Sequence, residues 1–407
     1  MKSNFVHAIL DGQEAYAGKA YFFNNDRYHR YDWSTDRAVD GYPMENSLWG
    51  LPMGKNIDAA INGQADYEGK AYFFIGTKYY RYDWKNDAMD AGYPGDLSAW
   101  GFPGTFASGI DAAVNGVGKY AGKAYFFKGN QYIRYDWAND AVDSGYPQSL
   151  SAWKLPAPFS SGIDAVLNGE GKYAGKLYFF KGNQYARYNW NTETIEAVNT
   201  ISGNWPLLQE LIQFGIAKKK SFEWLGAARP QIKSYINFLK TGATFTGDKA
   251  VFENALDVHF HIPTSMAKAT KLTHLNQINT NLDKMVTTLN NSSNVVRGRN
   301  KAEAIADRGA DTTGTPYPAY ATFNGTINIT ETFAKFGPLC QTAMVSHEPI
   351  HFVDSVSDNS NEFYEHGAQY ATITATQASH NASSYACFIQ HVFYNSDTRY
   401  GAGKPTL

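Results

Sequence analysis

The chain has 407 residues, enough for two or three domains with sizeable cores. Lys and Arg number 36 against 38 Asp and Glu, a net charge of −2 with no basic or acidic block, which argues against nucleic acid or an anionic membrane as the main partner. No apolar run is long enough to span a bilayer, and Met1 to Leu10 is too short and too polar for a secretory leader. The compartment stays open between the cytoplasm and release by an unconventional route. Cys340 and Cys387 make no disulfide framework and read as buried thiols or one optional bridge.

From the N-terminus the sequence repeats itself. Tyr21-Phe22-Phe23, Tyr72-Phe73-Phe74, Tyr125-Phe126-Phe127 and Tyr178-Phe179-Phe180 recur at intervals of 51, 53 and 53 residues. At a fixed offset follow Arg30-Tyr31-Asp32-Trp33, Arg81-Tyr82-Asp83-Trp84, Arg134-Tyr135-Asp136-Trp137 and Arg187-Tyr188-Asn189-Trp190. A period near fifty residues predicts a repeat architecture. One repeat reads as four short strands. Ile110 to Val114 is the first and Lys123 to Phe127 the second. Lys128-Gly129-Asn130 turns the chain into Gln131 to Asp136, and an outer strand follows Gly145-Tyr146-Pro147, with Trp153 in a short helix or turn. Four strands in each of four repeats predict an all-β four-bladed β-propeller over residues 1–205. Because Arg-Tyr-Asp occurs in nearly every repeat, it is expected to serve the repeat itself.

The succession Ile-Asp-Ala-Ala, Lys-Ala-Tyr-Phe-Phe-x-Gly-x-x-Tyr-x-Arg-Tyr-Asp, Gly-Tyr-Pro and Trp resembles the hemopexin repeat, and its arrangement looks like that of the bacterial photopexins. It covers about residues 5–205. Terminal repeats deviate, with His7-Ala8 in place of Asp-Ala and Asn189 in place of Asp. The resemblance implies a central tunnel lined by inner strands starting at His7, Asp58, Asp111 and Asp164. Backbone carbonyls there can hold a structural calcium or sodium ion. Haem is not expected, because this half has only His7 and His29 as histidines and no cysteine. A platform for a protein partner or a small ligand is expected instead.

Pro206 marks a boundary. Residues 206–249 are mixed apolar and basic and read as a linker with one or two short helices. Residues 250–407 form a second, mainly α domain. Leu272, Leu275, Ile278, Leu282, Met285 and Leu289 fall at helical steps. Arg297 to Pro318 is polar and turn-rich, and Ala319 to Ile329 reads as a hairpin on Asn324-Gly325. Phe333 to Val353 then reads as a helix, and Asn361 to Phe393 is mostly helical.

His347 and His351 are four residues apart, so on a helix both imidazoles face one side and can share a metal. Glu348 beside them can take a proton from water held there. The surroundings resemble the aspzincin metallopeptidases, the deuterolysin and lysine-specific endopeptidase family, over about Ala250 to Phe393. Ile327-Asn328-Ile329, Phe333, Cys340, His347-Glu348-x-x-His351-Phe352, Tyr364, Gly367 to Ala371 and Asn381 to Tyr385 carry the likeness. It implies a zincin-like domain with zinc on His347 and His351, Glu348 as general base and Tyr364 on the developing oxyanion. It also implies a third ligand three residues before that tyrosine. That position holds Asn361 where the family has aspartate. Glu362 is the favoured substitute, with Asn361 or Asp358 as alternatives and Asp354 in support.

Pro349 inside the motif must kink the helix. Ser383 and Ala386 stand where lysine-cleaving members carry acidic residues, so no preference for lysine is implied. The expected function is a zinc metalloendopeptidase acting on a protein or peptide, with the propeller as substrate- or partner-binding module. The alternatives are a catalytically impaired zincin in a binding or toxin-associated protein, and a haem- or small-ligand-binding hemopexin-like protein.

Overall fold

The computed structural model describes residues 5–291, 296–309, 314–322, 326–353, 363–364 and 367–397. Contacts divide the chain into two compact units, Met1–Ile212 and Gln213–Leu407. The first is all β in its sheets and the second mainly helical. Among the described residues no helix is long and apolar enough to cross a membrane.

Among the described residues the first unit holds four antiparallel sheets, one per repeat, and none of these closes on itself. In the third, Ala112–Asn115 pairs with Lys123–Lys128, which pairs with Gln131–Asp136, and two short strands, Ala141–Val142 and Gln148–Ser149, share the outer edge. Tyr125, Phe126 and Phe127 are all buried, so both faces of this strand are covered. The cover is the neighbouring sheet. One apolar cluster joins repeats one and two, another two and three, a third three and four. Edge-to-face phenylalanine pairs mark the same contacts: Phe23–Phe73, Phe74–Phe126 and Phe127–Phe179 at 5.6 to 5.8 Å, with Phe180–Phe22 at 5.9 Å bringing the fourth repeat onto the first. Such pairs contribute about 0.5–1.5 kcal/mol beyond the area they bury.

The repeated polar residues hold each sheet together. Lys70 and Lys123 donate to Asp83 and Asp136 across the central strand pair, at 2.7 and 2.6 Å. Asp90 and Asp143 accept from Arg81 and Arg134 at 2.6 and 2.5 Å. In the fourth repeat Glu196 takes both duties, accepting from Lys176, Arg187 and Asn189. The change of Asp to Asn at position 189 is thereby compensated seven residues on.

A second set links the sheets. Asn62, Asn115 and Asn168 each accept from the indole of Trp84, Trp137 or Trp190 at 2.8 to 2.9 Å. Each donates to the backbone carbonyl of the preceding repeat, at Asp11, Asn62 and Asn115 respectively, at 2.8 to 2.9 Å. The first repeat carries Asp11 at this position, and Asp11 Oδ1 and Trp33 Nε1 are buried without hydrogen-bond partners. Burial raises the pKa of the Asp11 carboxyl well above the ordinary range, and the Glu170 carboxylate adds to the rise.

Residues expected to form a linker with short helices belong instead mostly to one helix, α1 (Leu208–Thr241). Within the second unit its residues Phe214, Ala217, Ser221, Leu225, Ala228, Ile232 and Tyr235 are buried at steps of three and four, with Trp224 beside them, a stripe sufficient to hold a long helix on the core. Then come α2 (Lys249–Phe260), α3 (Lys268–Asn290) and α4 (Lys301–Arg308). The expected stripe of α3 is buried from Leu275 to Leu289, with Leu272 half-buried. Within the stretch read as turn-rich, Val296–Arg299 is a strand and α4 starts at a reciprocal cap between Asn300 and Glu303. That strand runs parallel to Thr326–Thr330, which also pairs antiparallel with Ala319–Thr322. The Asn324-Gly325 turn lies outside the described residues.

The helix expected over Phe333 to Val353 is broken. A short 3₁₀ turn precedes α5 (Pro338–His347), and α6 (Ile350–Val353) follows a turn at Glu348-Pro349. Proline has no N–H to continue the helix, as its position predicts. After α7 (Ala375–Ala378), α8 (Ala382–Tyr394) is buried continuously from Ala382 to Val392 and packs against α2 and α5 as the core of this unit. Cys340 and Cys387 are buried thiols.

Candidate metal centre

His347 is the last residue of α5 and His351 the second of α6. Despite the intervening break, their Nε2 atoms face each other at 3.2 Å. Tetrahedral zinc with bonds of about 2.0–2.1 Å holds two nitrogens about 3.3 Å apart, so this pair fits two corners of a zinc site. His347 and Glu348 are buried and His351 half-buried.

Four contacts fix the surroundings. Ser346 donates to the Thr342 carbonyl at 2.9 Å and meets Ser221 of α1 at 2.7 Å, which seats the end of α5. Ser383, in the first turn of α8, lies 3.4 Å from His347 Nδ1. The Tyr364 ring stacks parallel to His347, 6.0 Å between centroids, and stays 45% exposed.

Asn381 brings Tyr364 there. Its amide accepts from Phe363 N at 3.1 Å and donates to Phe363 O at 2.9 Å, a two-point clasp on the backbone at the start of α8. The sequence offered only Asn381 as part of a motif. The clasp itself joins positions 18 apart and has no local signature.

The third-ligand candidates Glu362, Asn361 and Asp358, together with Asp354, lie outside the described residues. The structure brings together His347, His351, Glu348, Tyr364 and Ser383. Of the residues suggested for an ion in the first unit, the side chains of Asp58, Asp111 and Asp164 accept through Oδ2 from Gly76, Gly129 and Gly182 N at 2.7 to 2.8 Å, each holding its own sheet's hairpin turn. A small cavity is lined by the first strands of the four sheets, at Ile9 to Asp11, Ala60 to Asn62, Ala113 to Asn115 and Val166 to Asn168. His259 and His391, which the sequence reading did not single out, meet at another place in this unit.

Comparison with known proteins bears on the first unit. Residues 57–104, 110–157 and 163–208 match the Hemopexin family. Stromelysin-1 of Equus caballus is 29% identical over 190 residues, 46% of this chain and 36% of its own length. Interstitial collagenase of Equus caballus is 37% identical over 119 residues, 28% of this chain and 23% of its own length. The chain thus spans about a third or less of these relatives. Among solved structures, LS24, a seed albumin from Lathyrus sativus, superposes with a TM-score of 0.44 at 24% identity, covering 52% of this chain and 99% of that one. The N-terminal half carries hemopexin repeats, homologous to the hemopexin domains of matrix metalloproteinases.

Proposed function

We propose that the four sheets are the blades of a hemopexin-type propeller that binds a protein partner or substrate, and that the C-terminal unit is a zinc metalloendopeptidase. The observation that carries the enzymatic part is the pair of Nε2 atoms 3.2 Å apart on His347 and His351, with Glu348 buried between them in the chain. His347 and His351 would hold the zinc, which when bound would supply a Lewis acid and make a water molecule more acidic. Glu348 would serve as general base toward that water and then as proton donor to the leaving amine. Tyr364, stacked beside His347, would donate a hydrogen bond to the oxyanion. The candidates for a third ligand, Glu362, Asn361 and Asp358, rest on the sequence alone. The propeller reading is supported by each inner strand packing on those of two other sheets, including the first on the fourth. A calcium or sodium ion in its channel belongs to the same reading. Haem is left out, because His7 and His29, the histidines of this unit, are both buried.

Glu348→Gln should keep stoichiometric zinc and lose about 10²–10⁴-fold in cleavage of a denatured protein. Equal cleavage by both proteins refutes the assignment. The second reading, an impaired zincin acting as a binding protein, rests on Asn361 in the aspartate position and on the helix break at Pro349. Zinc bound without any cleavage by the wild-type protein would favour it.

A further inference from the structure

Away from His347 and His351, two fully buried histidines meet where α2 packs on α8. His259 Nε2 lies 3.0 Å from His391 Nδ1 and 4.0 Å from Asp397 Oδ1. One ligand atom from each of the three residues falls within 4.8 Å of the others. We propose that His259, His391 and Asp397 form a second site for a divalent transition-metal ion, which clamps α2 to the chain just beyond α8.

The distances allow it. A four-coordinate zinc-like ion wants its ligand atoms about 3.3 Å apart, so the two nitrogens must part by a few tenths of an ångström and the carboxylate must approach both rings by up to about 1.5 Å. Asp397 can make that move, because it follows α8 and its side chain is 25% exposed, while the histidines sit on packed helices. The exposed side also gives the ion an entry path and a place for a water molecule as fourth ligand.

The outer contacts set the tautomer. Tyr370 Oη lies 3.1 Å from His259 Nδ1. With the Nδ1 proton donated to that oxygen, Nε2 keeps its lone pair toward His391 and Asp397, the usual arrangement of a metal-binding imidazole. Tyr370 is itself held, since its backbone carbonyl accepts from His261 Nε2 at 3.0 Å. A donor set of two imidazoles and one carboxylate suits zinc, cobalt, nickel or copper, whereas calcium and magnesium take oxygen ligands.

The competing arrangement is a plain hydrogen-bond chain from Tyr370 through His259 to His391. Such a chain satisfies the ring nitrogens without a carboxylate. Asp397 beside a buried imidazole pair supplies negative charge where a cation between the rings would need it. The clamp does not depend on the peptidase reading, since it uses none of the same residues.

The test uses the full chain with His347→Ala and His351→Ala, stripped by a chelator and titrated with Co²⁺ and then Zn²⁺. The expected result is one equivalent bound per chain, with visible absorption of four-coordinate cobalt and a raised Tm. Adding Asp397→Asn, a change at a partly exposed residue, should weaken binding at least tenfold, and Tyr370→Phe should weaken it about tenfold. If the double variant does not fold, the same count is made in the wild-type background, where Asp397→Asn should remove one equivalent. No bound metal, or one equivalent indifferent to Asp397→Asn, overturns the site and leaves the hydrogen-bond chain.

Discussion

The two units use charged and polar residues in opposite ways. In the hemopexin repeats they come in sets. Lys70, Asp83, Arg81 and Asp90 reappear as Lys123, Asp136, Arg134 and Asp143, with the same partners. In the C-terminal unit His347, Glu348, His351, Asn381 and Ser383 each occur in one setting. Recurrence therefore separates the two kinds of polar group without any ligand. A charge found at equivalent positions with equivalent bonds belongs to the architecture. Interest attaches to the position where the set is broken, as at Asp11.

The largest effect that could break this comparison is loss of a whole repeat. Deleting residues 110–162 should abolish the cooperative unfolding of the first unit, since it strands the apolar faces of the second and fourth sheets and exposes strand edges. A persistent sharp melt would show that the sheets are independent. Next comes one rung of the ladder. Asn115→Ala removes the bond to the Asn62 carbonyl and leaves the Trp137 indole N–H without its acceptor, at a cost of about 2–3 kcal/mol in chemical denaturation.

The broken rung sharpens the comparison further. Asp11→Asn restores the pattern of the other three repeats and should stabilise the unit at neutral pH by about 1 kcal/mol. The sign follows from linkage. The folded pKa of Asp11 is raised, so its carboxyl contributes most at pH below the unfolded value, and stability falls as pH climbs through the folded one. The variant should lose that alkaline-going decline. The smallest effect at neutral pH belongs to His29→Ile, which copies Ile133 of the third repeat. Desolvation, with Arg27 adding to it, lowers the His29 pKa to about 3, so stability is full above the unfolded value and falls as pH drops from about 6.5 toward 3. The variant should flatten this acid limb and leave the neutral value nearly unchanged.

Sequence reading reaches far in the first unit because one repeat corrects another. Strand ends, turns and buried aromatics all follow from the period. In the second unit each element stands on its own evidence. Helix α1 was obscured by Lys218-Lys219-Lys220 and Pro230, which interrupt a stripe that burial makes continuous from Phe214 to Tyr235. Helix α4 had a legible start in Asn300 and Glu303, outweighed by the polar stretch around it. At the candidate centre the spacing of His347 and His351 was enough to pair them, and Pro349 was enough to place the break. The Asn381 clasp and the His259–His391 meeting were not legible, since they join residues 18 and 132 positions apart through packing alone.

The direction of the asparagine ladder has a consequence for how such repeats change over time. Asn62, Asn115 and Asn168 each reach back to the carbonyl of the repeat before, so every bond has its donor in one module and its acceptor in the previous one. Because the acceptor is backbone, a donated repeat need not match the side chains of its new neighbour at this point. It need only keep its own asparagine and tryptophan in register. Duplication or exchange of whole modules thus carries the joint along with the part, and the joint is lost only in a module that, like the first, has let its own asparagine go.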